Sequence, residues 1–221
     1  MIPKIIHLCW LRGDPYPEKI AKCISTWKKH LPDYEIMLWD TKRFDVDSCP
    51  WVKQAYEAGK YAFAADYIRL YAVYNYGGIY LDSDVEVIKS FDDLLSRPYF
   101  VCSETRREEV ELAAFGAEKG CQWVKDALDY YEGRNFINPD GSREMEVQPK
   151  LLGRILREKY DWVNIDSPDE FDPDPSKFCV LPCEWFGAHP IIDDDCVYMI
   201  TKNTHSIHHY ANSWMENKYP G

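Results

Sequence analysis

Apolar residues recur along this chain in two rhythms. "KIIHLC" (Lys4–Cys9) is a short apolar run at the start of the chain, the pattern of a buried strand. Ile20, Cys23, Ile24 and Trp27 then recur at i, i+3, i+4 and i+7, the stripe of an amphipathic helix that Pro32-Asp33 stops. "YEIMLWD" (34–40) reads as a second strand ending in an aspartate. Strand, helix and strand in this order predict a βαβ unit, with a parallel sheet and helices on its faces.

"CPWVKQAYEAG" reads as a short helix closed by Gly59. The next helix, in "KYAFAADYIRLYAVYNYGG", differs. Tyr61, Ala64, Ala65, Ile68, Tyr71 and Ala72 form one face, and Phe63, Tyr67, Leu70 and Tyr74 cover most of the rest. A helix apolar nearly all round is a buried helix. Its two obvious charges, Asp66 and Arg69, are i, i+3 neighbours. Gly77-Gly78 ends it, and "IYL" then reads as a short central strand with Asp82 at its C-terminal end.

Farther on, the pattern predicts a strand over Tyr99–Ser103, a Glu/Arg-rich loop, and a helix from about Gln122 to Tyr131. Residues 133–148 read as a turn or mobile loop, followed by a helix around Pro149–Tyr160 and an exposed Asp- and Pro-rich loop over 166–177. "FCVLP" and "CVYMITK" read as late strands, before the tail "HSIHHYANSW". Neither an internal repeat nor a low-complexity linker interrupts the chain, so one domain over 1–221 is expected.

The formal net charge of −11 disfavours nucleic acid, whose backbone is bound by clustered Lys and Arg. No C-x-x-C occurs among the eight cysteines, and zinc-finger spacing is missing. No basic n-region with a long apolar stretch opens the chain, and no run of ~18 apolar residues could span a bilayer. The expectation is a cytoplasmic protein with reduced, buried cysteines; a luminal domain with disulfides is the alternative. The 8 Trp and 16 Tyr suit stacking on sugars and bases as well as ordinary core packing.

The chemistry concentrates in "YLDSDV". In an extended strand, side chains at i and i+2 share a side, so Asp82 and Asp84 can converge with Ser83 facing away. Two carboxylates that close repel unless a cation sits between them. Oxygen ligation suits Mg²⁺ or Mn²⁺, which fill their remaining positions with water and substrate phosphates. Ligands of open α/β sheets also bind beyond the carboxyl ends of the strands. A solvated Asp-rich turn is the plain alternative, but here a buried helix and an apolar strand deliver the pair from the interior.

"AADYIRLYAVYNYGGIYLDSDV" resembles the signature of glycosyltransferase family 32, the group with a sugar-binding region containing a DXD motif. That group includes bacterial capsular polysaccharide transferases and yeast-type mannosyltransferases, and is related to the glucosyltransferase domain of the large clostridial toxins. "PKIIHLCW" and "HHYANSW" also resemble family positions, so the likeness is anchored at three separated points. It implies an α/β fold of GT-A type, with a Rossmann-like central mixed sheet flanked by helices. It further implies a nucleotide-sugar donor, a divalent ion (Mn²⁺ or Mg²⁺), and retention of anomeric configuration. The nucleotide-sugar core would occupy about 1–105, with a variable acceptor-side region and a metal-closing C-terminal segment over about 106–221.

By this resemblance Asp84 binds metal directly, while Asp82 contacts the ribose and supports the metal through water. Asp66 and Arg69 hold the hydroxyls of the donor sugar; their plain alternative is a buried ion pair. Trp10 is a platform for the nucleobase, flanked by backbone groups of His7 and Leu8, or else a core tryptophan. Tyr80 and Ser83 complete the donor-binding set. His209 supplies a metal ligand, with Ser213 and Trp214 reaching the diphosphate, although spacing alone does not separate His208 from His209. Asn212 stands where many relatives carry glycine.

The expected activity is metal-dependent transfer of a hexose from a nucleotide sugar, UDP-linked by analogy, to a saccharide acceptor in capsular, exopolysaccharide or other glycan synthesis. A lipid-linked acceptor would bring the protein to the inner membrane face. The residues also admit a binding subunit of a polysaccharide assembly complex that holds a nucleotide sugar or ion without chemistry, and, less well, a metal-dependent phosphohydrolase.

Overall fold

The computed structural model describes residues 1–104, 109–187 and 200–210. Its centre is a five-stranded mixed sheet with the order β2-β1-β3-β6-β5. β1 (Ile5–Cys9) pairs in parallel with β2 (Glu35–Trp39) on one side and β3 (Gly78–Leu81) on the other. The amphipathic helix α1 (Glu18–His30) makes the first crossover, as its stripe requires. β6 (Val110–Ala117) runs antiparallel to β3 and to β5 (Tyr99–Ser103), which makes the sheet mixed.

Alternation along the strands feeds two cores, one per face. Ile6, Leu8, Ile79, Leu81, Phe100 and Cys102 join Trp27 of α1 on one side. Tyr80, Tyr99, Val101 and Phe115 face the other, under α2 (Pro50–Glu57), α3 (Tyr61–Tyr76), α4 (Gln122–Asp129) and α5 (Gln148–Lys159). α3 is buried along most of its length, as its all-round apolar sequence requires. At its end Gly77 and Gly78 hold φ of 66° and 112°, and a Cβ on Gly78 would lie 2.6 Å from the Ile5 carbonyl oxygen. The glycine pair therefore permits both the left-handed turn and the close approach of β3 to β1.

His7 fastens this corner. Its Nε2 donates to the Gly77 carbonyl at 2.7 Å, and its Nδ1 accepts from Trp39 Nε1 at 3.0 Å. The ring is fully buried and neutral, and burial pushes its pKa down to about 4.

The main departure from the sequence reading is β6. The pattern gave only a loop between Ser103 and the helix at Gln122, yet all eight residues of "VELAAFGA" are buried. A strand covered on both faces shows no period of two, and its small residues and Glu111 hide the apolar run. Two smaller ribbons complete the fold: β4 (Val85–Val87) with β9 (Ser206–His208), and β7 (Asp161–Asn164) with β8 (Lys177–Val180); of these four strands the pattern predicts only β8, in "FCVLP". The strand expected at 196–202 falls largely outside the described residues, and 200–202 are not strand. Among the described residues no helix is long and apolar enough to cross a membrane.

Candidate active site

A cleft of about 860 Å³ opens beyond the carboxyl ends of β1 and β3. Asp82 and Asp84 stand on it in a turn, not in the extended strand that the i, i+2 spacing suggested. The Val85 amide donates to the Asp82 carbonyl at 3.0 Å, closing the turn, and Ser83 lines the cleft with its two neighbours. Both flanks are pinned. The Asp82 amide donates to Ala113 O at 2.7 Å; past the turn, Trp27 Nε1 donates to Val85 O at 2.7 Å and the Val87 amide to Thr26 Oγ1 at 2.9 Å. The aspartates are thus presented by a backbone anchored to β6 and α1.

Behind them lies a dense charge cluster. Arg69 Nη2 is 3.2 Å from Asp66 and 3.4 Å from Asp82, while Nη1 donates to Leu112 O at 3.1 Å. The guanidinium also lies 4.8 Å from the ring centre of Tyr80, whose hydroxyl donates to Asp82 at 2.6 Å. Burial pushes the Asp66 carboxyl up to about 7; Arg69 draws it down and Asp82 pushes it up. Asp82 is raised too, by burial first and by Asp84, against the pull of Arg69. One guanidinium shared between carboxylates leaves acceptor capacity facing the cleft, which suits sugar hydroxyls.

More of the lining comes from segments that the sequence pattern reads as loops, with no site residue singled out in them. Glu111 of β6 is 4% exposed and lines the cleft with Glu104. Burial would raise the Glu111 pKa, but His208 and donors from Ala113 and Tyr210 bring it below the ordinary value. Burial pushes Glu104 up to about 8, reinforced by Glu111 and Glu109. Gln148, at the start of α5, donates through Nε2 to Asp66 O at 2.7 Å and to Tyr131 Oη at 3.0 Å. The sequence pattern places this residue at the end of a loop. A buried polar residue opening a helix was the available signal.

His208 and His209 resolve by alternation. His208 Nε2 is 3.6 Å from Asp84, whereas His209 Nε2 sits 2.9 Å from Glu86. The histidine beside the aspartates is therefore His208 and not His209, because β9 pairs His208 with Val85 and turns its neighbour outward. Burial would lower the His208 pKa, but Glu111 and Asp84 raise it well above the usual histidine range. Ligand atoms of Asp82, Asp84 and His208 all lie within 4.8 Å of one another. Two carboxylates and an imidazole could hold a divalent ion, and the nitrogen ligand suits Mn²⁺ better than Mg²⁺.

At the far end Trp10 is half-buried and lines the cleft, so it is not a core tryptophan. Its Nε1 donates to Asp14 O at 2.9 Å, and Tyr16 meets it edge-on at 4.9 Å. His7 and Leu8 do not line the cleft as expected. Both are buried in β1, His7 in register with β2 and β3 and Leu8 with β2, and the lining begins at Cys9. Ser213 and Trp214 lie outside the described residues.

Comparison with known proteins agrees with this geometry. Residues 17–101 match the family described as glycosyltransferase sugar-binding region containing DXD motif. The chain is 38% identical over 104 residues to inositol phosphoceramide mannosyltransferase 3 of Schizosaccharomyces pombe, covering 45% of this chain and 29% of that protein. It is 33% identical over 108 residues to mannosyl phosphorylinositol ceramide synthase SUR1 of Saccharomyces cerevisiae, covering 46% of this chain and 27% of that protein. The chain thus spans less than a third of the length of either relative. Among solved structures, PaToxG glycosyltransferase superposes with a TM-score of 0.54 at 21% identity, covering 71% of this chain and 68% of that one, which shows a shared GT-A type fold. Over residues 17–101 the chain is thus similar to the glycosyltransferase family described by a sugar-binding region containing a DXD motif.

Proposed function

We propose that this protein is a divalent-metal-dependent, retaining glycosyltransferase that moves a hexose from a nucleotide sugar to a saccharide or lipid-linked saccharide acceptor. The observation that carries the proposal is the convergence of Asp82, Asp84 and His208 at the floor of a cleft large enough for a nucleotide sugar. A divalent ion there would supply Lewis-acid stabilisation of the leaving nucleoside diphosphate.

The chain's own residues would do the rest. Asp66 and Arg69 would grip the hexose hydroxyls and fix the anomeric carbon. Tyr80 holds Asp82 by its hydroxyl and so would orient that carboxylate toward a donor ribose and a divalent ion. Trp10 offers an aromatic face at the mouth for the base. Mannose is the first hexose to test, since the fungal relatives are named as mannosyl-transferring enzymes of phosphoinositol ceramides. UDP-linked hexoses remain in the set, as does a capsular, exopolysaccharide or other glycan acceptor, and the expected site of action is cytoplasmic.

A screen of UDP- and GDP-linked hexoses with Mn²⁺, reading released nucleoside diphosphate, tests the proposal. Turnover of at least one donor that stops in EDTA is expected. Undiminished turnover in EDTA would refute metal dependence. Tight donor binding with no hydrolysis or transfer across an acceptor panel would favour a binding subunit instead.

A further inference from the structure

A buried carboxylate in a central strand is costly unless its oxygens are satisfied. Glu111 is 4% exposed in the otherwise apolar β6, and each oxygen is engaged. Oε1 accepts from the Ala113 amide at 2.7 Å, and Oε2 accepts from the Tyr210 hydroxyl at 2.9 Å. The same Oε2 lies 3.5 Å from His208 Nδ1, an ionic contact, while that nitrogen has no hydrogen-bond partner among the described residues.

Tyr210 completes the arrangement. Its ring stacks on the His208 imidazole with centroids 3.8 Å apart and planes 28° from parallel. Its backbone sits at φ 43°, the left-handed region that a bulky residue adopts only when its surroundings compel it. Stacking and the hydroxyl bond to Glu111 are two contacts that hold it there. The His208 ring is thus gripped on its face by Tyr210 and on its Nδ1 edge by Glu111, with Nε2 left pointing at Asp84.

We infer that Glu111 and Tyr210 form a clamp that positions His208 as the third metal ligand, coupling the central strand to the chain's C-terminal segment. Neither residue touches the metal position itself; both are positioning residues. The arrangement is that of a carboxylate orienting a ligating histidine through its second nitrogen. The inference rests on the metal-dependent reading above. It adds two residues outside the 17–101 family match.

The test is Mn²⁺ titration of the full chain without donor, followed by calorimetry or by electron paramagnetic resonance of free Mn²⁺. Glu111→Leu is expected to weaken Mn²⁺ binding about 10–100-fold. Tyr210→Phe, which removes one oxygen and keeps the stack, is expected to weaken it several-fold at unchanged melting temperature. Glu111→Gln keeps the shape but has one acceptor oxygen for the Ala113 amide and the imidazole, and should recover only part of the loss. Should Glu111→Leu fail to fold, Tyr210→Phe decides alone. Wild-type affinity in Tyr210→Phe and Glu111→Leu, beside a loss in His208→Ala, would overturn the clamp and leave the metal site standing. Absence of Mn²⁺ binding in the wild type would overturn the metal reading, and the clamp with it.

Discussion

The two walls of the cleft are built in opposite ways. The wall carrying Asp66, Arg69, Tyr80, Asp82 and Asp84 comes from one stretch of chain, a buried helix, a glycine turn and a short strand. The wall carrying Glu104, Glu111, Gln148 and His208 is gathered from separate strands and a helix, and its members meet their partners across long sequence distances. The first wall is rigid because its local geometry leaves few alternatives. The second is held by side-chain contacts that single substitutions can remove. Recognition of the donor is therefore expected to be robust on one side and adjustable on the other.

Breaking the local wall should have the largest effect. Asp84→Ala removes a carboxylate from the three-ligand cluster, and Mn²⁺-dependent release of nucleoside diphosphate should fall to background. Arg69→Ala comes next. It leaves Asp66 and Asp82 facing each other in a buried site, and should cost on the order of 2–5 kcal/mol of transition-state stabilisation measured as kcat/KM. A role in folding alone would instead lower the melting temperature and leave the folded fraction fully active.

His7 tests whether the corner under the local wall is as rigid as its hydrogen bonds suggest. Its folded pKa, about 4, lies below the unfolded value of 6.5. The unfolded chain therefore binds the proton first, and stability drops as pH falls from 6.5 toward about 4. The loss from this one residue should be on the order of 3 kcal/mol, and His7→Gln should lack that part of the slope in urea unfolding at matched pH values. Parallel slopes in the two proteins would show that the imidazole is not buried neutral.

The smallest effect belongs to Gln148, at the edge of the assembled wall. Gln148→Leu deprives the Asp66 carbonyl and the Tyr131 hydroxyl of a donor, at a cost of about 1–3 kcal/mol. It should raise the donor KM more than it lowers kcat, because Asp66 remains present but loosely held. An unchanged KM would sever α5 from donor binding.

The same contrast explains what could be read from the sequence. Asp66, Arg69, Asp82 and Asp84 announced themselves because helix stripe, glycine stop and carboxylate spacing all act within a few turns of chain. Glu111 stayed hidden because a strand buried on both faces carries no alternation, so the central partner of β3 looked like loop. Histidine spacing could not choose between His208 and His209, since only the pairing of β9 with β4 decides which one faces inward. Likewise the convergence of Asp82 and Asp84 was legible but its cause was not, for it arises from a turn and not from a pleat. His7 was read as part of the base pocket, yet its ring serves the sheet corner.

The two walls form one active site only if they meet at one metal through His208. Nucleoside diphosphate release with Mn²⁺ should be measured side by side in His208→Ala and His209→Ala. Loss in His208→Ala with near wild-type turnover in His209→Ala is the predicted result. Loss in His209→Ala with turnover retained in His208→Ala would contradict the assembled site.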